Sequence, residues 1–138
     1  MALKMVPDFL AIGHVTLDET ENGLLPGGSC LYSALLAHHL GLRVSLLTSL
    51  GPDFPREIIP REIEVISTSA LETTTFRHVI KRGARTLWLR RRANQIGAEA
   101  LPPEWRDARI VYLCPVANEV DPRLAASFPG SLIRPSSA

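Results

Sequence analysis

Short apolar runs separated by polar, turn-rich stretches divide the chain. Residues 9–13 (FLAIG) form a continuous apolar run closed by glycine, the pattern of a strand buried on both faces. The following stretch, HVTLDETENGLLPGG, is polar and rich in turn residues. Within it Val15 and Leu17 alternate with polar neighbours, which predicts one short surface strand. After the Pro26-Gly27-Gly28 turn, Leu31, Ala34, Leu35 and His38 recur at helical spacing, and Leu36 and Leu40 widen the face. This predicts a helix over residues 29–40, with Ser29 as N-cap and Gly41 as stop. Residues 42–50 (LRVSLLTSL) read as a strand with Val44, Leu46, Thr48 and Leu50 on one side. Strand, helix and strand at this spacing make a right-handed parallel crossover.

Residues 51–64 contain Pro52, Pro55 and Pro60, which leave room for only one or two short helical turns before a small strand at 64–66. Residues 73–80 and 85–90 are enriched in Thr, Phe, Val, Ile and Trp around Lys81-Arg82-Gly83-Ala84. They read as an antiparallel hairpin, partly exposed and appended beside the main sheet. Residues 101–107 are a connection with one helical turn, and 109–113 (RIVYL) another buried strand. Asp121-Pro122 starts a helix over 123–128, since Asp caps and Pro suits the first helical position. A last strand begins at 131–133 and a tail covers 134–138. Alternating elements of this kind predict an α/β fold with a partly parallel sheet.

Composition narrows the classes. The 138 residues suit one domain, and 46% hydrophobic residues exclude a disordered chain. The apolar share also hints at surface that expects a partner or a further segment. A net charge of +1, from 15 basic and 14 acidic residues, gives no long-range pull toward nucleic acid or membrane. The one basic run, Arg90-Arg91-Arg92, reads as a solvated strand edge. Cys30 and Cys114 lack metal-ligand spacing and read as buried reduced thiols, although the sequence leaves a disulfide between them open. No signal-peptide pattern and no run long enough for a membrane span occur, so a cytoplasmic protein is expected. His14, His38, His39 and His78 have no acidic or Cys partners at ligand spacing and are assigned structural or solvent roles, with no metal site expected.

Three segments, in order, resemble the PfkB (ribokinase-like) carbohydrate kinase family. AIGHVTLDE is similar to the opening strand, its Gly and a following Asp. PGGSCLYSALLAHHLGLRVSLLTSLGPD carries Gly27-Gly28, Ala34, Leu40-Gly41 and Gly51-Pro52-Asp53 in the family's order. TTTFRHVIKRGARTLWL, then DARIVYLCPVANEVDP, looks like the lid hairpin and the strand after it. The resemblance covers most of residues 8–133 and implies a partial ribokinase-like sheet with a lid. Residues 1–133 would then be the N-terminal substrate-binding and lid half of such a kinase. The family's Asn, four positions after the second Gly, is replaced by Tyr32, which resembles the inositol-kinase-like branch. The run Asp-x-x-Gly-Ala-Gly-Asp, which in the family builds the anion hole and supplies the base, does not occur in the sequence. No catalytic residue is therefore carried over. ATP and Mg²⁺ are implied by the family only, with no site for either evident.

The resemblance implies a sugar or polyol ligand. Asp18 is the candidate acceptor for its hydroxyls, since open α/β sheets bind ligands beyond the carboxyl ends of their strands. Gly27 and Gly28 would let backbone approach the ligand at a helix start, with Ser29 beside them. Tyr32 could stack on a polyol, Asn118 and Glu119 follow a strand end, where ligand groups often sit, and Thr73, Thr74, Thr75 and Phe76 could belong to a closing lid strand. For each residue a structural reading stands beside the functional one: turn, cap, core or loop. The expected function is that of a truncated sugar or polyol kinase, inactive alone. Two other readings stay open. One is a non-catalytic binding or dimerising module, with a homodimer through the hairpin. The other is a non-functional truncated product, suggested by the RPSSA ending.

Overall fold

A computed structural model describes residues 5–128, and the backbone of 132–135. The chain begins with β1 (Phe9–Ile12), β2 (Thr16–Thr20), β3 (Gly23–Gly27), α1 (Ser29–His39) and β4 (Val44–Leu50). It continues with β5 (Glu64–Ser69), β6 (Thr74–Lys81), β7 (Ala84–Arg91), β8 (Ile110–Leu113) and β9 (Leu132–Pro135). These strands form two sheets, ordered β5-β4-β1-β8-β9 and β3-β2-β6-β7.

The first sheet is parallel throughout, with β1 flanked by β4 and β8. Its central strands are apolar runs because both faces are covered. Alternate residues feed two separate cores. Ala11, Val44 and Leu46 pack with Cys30, Leu31, Ala34 and Ala37 of α1 and with Phe54, Ile59 and Ile63. Leu10, Ile12, Leu47 and Val111 face the other way, onto Ile96, Leu101, Trp105, Leu124 and Phe128. The second core is covered by short 3-10 turns at Ala98–Ala100, Pro103–Asp107 and Pro122–Ser127.

The second sheet is the appended hairpin layer, extended by β2 and β3. β6 and β7 pair antiparallel around Arg82 and Gly83, whose φ values of 51° and 77° are those of a tight hairpin turn. A bulge interrupts the register between Thr75 and Phe76. β2 runs parallel to β6 and antiparallel to β3.

Several elements differ from the sequence reading. β3 was not expected: its five residues GLLPG contain too few alternating positions to register as a strand, and Pro26 is tolerated because the strand is an edge. Ser29 is the first helical residue, whereas Gly28 occupies the N-cap and no side chain caps the helix. Gly28 takes that place with φ 97°, a conformation that disfavours side chains. Leu36 and Leu40, expected to widen the apolar face, are 59% and 68% exposed. At ~100° per residue both lie on the side of the helix opposite Leu31 and Ala34, and Cys30 and Ala37 complete the buried stripe instead. The segment after Asp121 is a 3-10 turn rather than an α-helix, although Asp121 caps it as expected, its Oδ1 accepting from Arg123 N at 3.0 Å. β5 runs to Ser69, beyond the expected 64–66. β9 includes Arg134 and Pro135, which the sequence reading assigned to the tail, while Ser131 and residues 136–138 lie outside the described residues.

Trp105 is fully buried in the second core and donates from Nε1 to Glu64 Oε1 at 3.2 Å. Replacing a buried Trp by Ala typically destabilises by about 3–5 kcal/mol. Trp105→Ala is expected to lower the urea midpoint by that equivalent, whereas Trp88→Ala, at a 59% exposed position, should leave it nearly unchanged.

Candidate functional site

Gly13 follows the end of β1, and the chain passes there from the parallel sheet into the lid. A side chain at Gly13 would run into the carbonyl of Cys114, so the first and third central segments approach closely. The next residue, His14, is fully buried. Its Nε2 lies 2.7 Å from the carbonyl oxygen of Asn94, and a carbonyl only accepts, so Nε2 carries the proton. Nδ1 then accepts from the Thr74 hydroxyl at 2.7 Å, and Thr74 Oγ1 in turn accepts from Ala93 N at 2.9 Å. Burial lowers the pKa of His14 below the ordinary 6.5. The contact with the Asn94 carbonyl and the charge of Glu119 oppose that shift, and Arg92 adds to it. The imidazole is thus a neutral bridge from β1 to both lid connections, one entering β6 and one leaving β7.

Glu119 closes the same junction from the third side. Its fully buried carboxylate accepts from His14 N at 2.8 Å, Ala117 N at 2.8 Å and Val116 N at 3.0 Å. The lid is further fastened by Thr73, whose hydroxyl lies 2.6 Å from Asp53 Oδ1 and accepts from Gly51 N at 3.0 Å. Thr73, Thr74 and Thr75 are all buried, so these threonines hold the lid's hinge and do not line its surface.

Asp18 lies on β2, in register with Leu25 of β3 and Phe76 of β6. Residues in register share a sheet face, so Asp18, Leu25, Phe76, His78, Leu87 and Leu89 line one side of the lid. Asp18 Oδ1 takes a hydrogen bond from Thr16 Oγ1 at 3.3 Å and lies 3.3 Å from His78 Nε2. Asp18 Oδ2 leans over Gly27, in the space a side chain there would need. Gly28 abuts the carbonyl oxygen of His14, which a Cβ would meet at 2.8 Å. Asp18, Gly27 and Gly28 therefore come together where the lid, the start of α1 and the end of β1 meet.

The other candidates are placed differently. Ser29 opens α1 beside Gly28. Tyr32 is 60% exposed one turn on, its hydroxyl donating to the Pro26 carbonyl at 3.3 Å. Asn118 sits at φ 57° in the loop after β8, and its carbonyl oxygen accepts from Arg92 Nη2 and Gln95 Nε2, both at 3.0 Å, which gives it a structural task at the lid's exit. Sequence reasoning missed His14 and His78 as hinge and site residues, and it offered Glu119 as a ligand group where the structure spends its carboxylate on backbone amides. His14 adjoins the Gly that follows β1, which is a usable signal, whereas His78 meets Asp18 only through the sheet register. Cys30 and Cys114 are free and buried, as expected, and burial pushes the Cys30 thiol well above its usual range. Arg90 and Arg91 face Glu19 at 3.9 and 4.0 Å, and Arg91 also pairs with Glu72 at 3.0 Å.

This arrangement suits a neutral polyhydroxy ligand: a carboxylate acceptor and an imidazole amid apolar side chains. The first turn of α1 carries no basic residue, and the charged group beside that helix start is the Asp18 carboxylate. Among the described residues no group of three His, Cys, Asp or Glu stands ready for a metal ion, and no helix is long and apolar enough to cross a membrane.

No protein-family profile matches the chain. A cytidine kinase of Thermococcus kodakarensis is 23% identical over 146 residues, covering 91% of this chain and 50% of that protein. A pyrophosphate-dependent kinase in the ribokinase family, solved with a pyrophosphate analogue and myo-inositol, superposes with a TM-score of 0.67 at 17% identity, over 86% of this chain and 44% of its own. Ribokinase of Arabidopsis thaliana, solved with ribose and ATP, gives a TM-score of 0.62 at 14% identity, over 95% and 53%. The chain thus spans about half the length of these relatives. The fold is that expected from the sequence resemblance, a partial ribokinase-like fold in the α/β class.

The lowered pKa of His14 has a sign that can be tested. The unfolded chain binds a proton near pH 6.5 while the folded chain still refuses it, so stability contributed by neutral His14 is complete above that pH and is lost below it. Urea denaturation between pH 8 and 5 should show stability falling below about pH 6.5, with this group adding a slope of up to ~1.4 kcal/mol per pH unit. In His14→Gln that component of the slope should vanish.

Proposed function

We propose that the chain is the substrate-binding and lid half of a kinase that phosphorylates a hydroxyl of a sugar, polyol or nucleoside. The observation that carries this reading is Asp18, held from one side by Thr16 and His78 with its free oxygen over Gly27 at the start of α1. A carboxylate oxygen at such a point accepts hydroxyl hydrogens, and the apolar side chains around it suit the carbon face of a sugar ring. The relatives solved with myo-inositol or ribose, and the cytidine kinase, support the substrate class.

Transfer itself requires a base within reach of the acceptor hydroxyl and donors for the developing negative charge. The proposal puts these groups, with ATP and Mg²⁺, outside these 138 residues, because the family's Asp-x-x-Gly-Ala-Gly-Asp run is absent from them and the start of α1 lacks cationic groups. The cytoplasm, where ATP is supplied and thiols such as Cys30 and Cys114 stay reduced, is the proposed compartment.

A second reading, a binding module that dimerises through the lid, is favoured by β7. That edge strand is exposed along its whole length and carries Leu87, Trp88 and Leu89, and such an edge is a template for pairing with another strand.

Calorimetric titration with ribose, myo-inositol and cytidine, beside a phosphate-transfer assay with ATP and Mg²⁺, tests the first reading. One of the three ligands should bind, with Kd on the order of 1 mM, about −4 kcal/mol. Asp18→Ala should weaken it by roughly tenfold or more, the usual scale for a hydrogen bond to a charged group. Transfer should be absent; turnover that disappears in Asp18→Ala would show that the chemistry lies within this chain.

A further inference from the structure

We infer that His78 is the positioning residue for Asp18 and the second polar arm of the ligand site. The inference rests on the reading of Asp18 as the ligand's hydroxyl acceptor and deepens it.

His78 belongs to β6, two residues beyond Phe76, which is the register partner of Asp18. Alternation puts both side chains on one face of the lid, and the contact follows: His78 Nε2 lies 3.3 Å from Asp18 Oδ1. The side chains are 22% and 23% exposed, half-enclosed and still reachable.

The contacts of Asp18 are divided between its two oxygens. Thr16 and His78 both approach Oδ1, whereas Oδ2 rests against Gly27, at the start of α1. Fixing one oxygen from two sides sets the carboxylate plane and so aims the other. Without His78, only the Thr16 hydroxyl two residues away would hold that orientation. The imidazole turns Nε2 to Asp18, which leaves Nδ1 on the other side of the ring. A second ligand hydroxyl next to the one on Asp18 can therefore be met by Nδ1, so the pair is suited to two neighbouring hydroxyls. Leu25, in register with Asp18, and Leu87, in register with His78, flank the pair on the same face and would exclude water around a bound ring.

A depression of about 550 Å³ at the lid's free end includes His78, Ile80, Leu24 and Arg77 in its lining but not Asp18. His78 therefore borders that depression as well as Asp18.

The test uses the chain as it exists, titrated calorimetrically with ribose, myo-inositol and cytidine. Four variants are compared with the wild type: His78→Phe, which keeps a ring; His78→Gln, which keeps a donor near the Nε2 position; Asp18→Ala; and Asp18→Ala with His78→Phe. His78→Phe is expected to weaken binding of the ligand at least tenfold with an unchanged urea midpoint, and His78→Gln to stay within threefold of wild type. Added to Asp18→Ala, His78→Phe should cost little more, because the two residues act as a unit. Binding lost in Asp18→Ala but unaltered in His78→Phe would overturn the role of His78 and leave the reading of Asp18 intact. A wild-type chain that binds none of the three ligands would overturn both.

Discussion

Where β1 ends, backbone and side-chain polar groups are enclosed by two sheets and a loop, and each must find a partner inside the protein. Buried polar groups left unpaired are costly, while a fully paired network is rigid. His14 meets this constraint by spending its backbone N–H on Glu119, one ring nitrogen on Asn94 and the other on Thr74. Glu119 spends its oxygens on three backbone amides. The lid is held mainly at its base, since β7 is exposed along its whole length and β6 is buried only there. The angle between the lid and the parallel sheet, and with it the position of Asp18 over Gly27, therefore depends on this junction together with the Thr73–Asp53 tie beside it.

The same economy explains the conformational demands around the site. Gly28 sits against the His14 carbonyl, and Gly27 sits under Asp18. A side chain at the first would push the start of α1 off the end of β1. A side chain at the second would push the carboxylate away from the helix. Both glycines serve close approach as much as turning.

What was legible in the sequence is what local pattern decides. FLAI and VSLLTSL announced central parallel strands because burial on both faces removes every polar position. The lid hairpin was visible because Arg82-Gly83 supplies the backbone conformation its turn needs. The outer face of α1 was misjudged because leucine type was weighed above angle, and β3 was missed because an edge strand of five residues containing Gly and Pro leaves little periodicity. His78 was given only a structural or solvent role because its partner lies sixty residues away in sequence and becomes a neighbour only through the parallel pairing of β2 with β6. Asn118 was read from its place after a strand, yet its backbone serves the lid's exit, a task that depends on Arg92 and Gln95 reaching across from another connection.

The two cores and the lid differ in how they are closed, and the difference bears on ligand binding. Both faces of β1 and β4 are sealed within the chain, by α1 on one side and by Trp105, Leu124 and Phe128 on the other. This body is closed without any ligand, and the start of α1 at Gly28 belongs to it, while Gly27 ends β3 of the lid sheet. The lid face carrying Asp18 and His78 has apolar neighbours whose outer halves remain in water, Leu25, Leu87 and Leu89 among them. A ring placed between Asp18 and the helix start would remove part of that surface from water and, through the carboxylate, connect lid and body a second time. Order in the lid and occupancy of the site are then linked in both directions, because whatever steadies the hinge at His14 also lowers the entropy lost when the ligand binds.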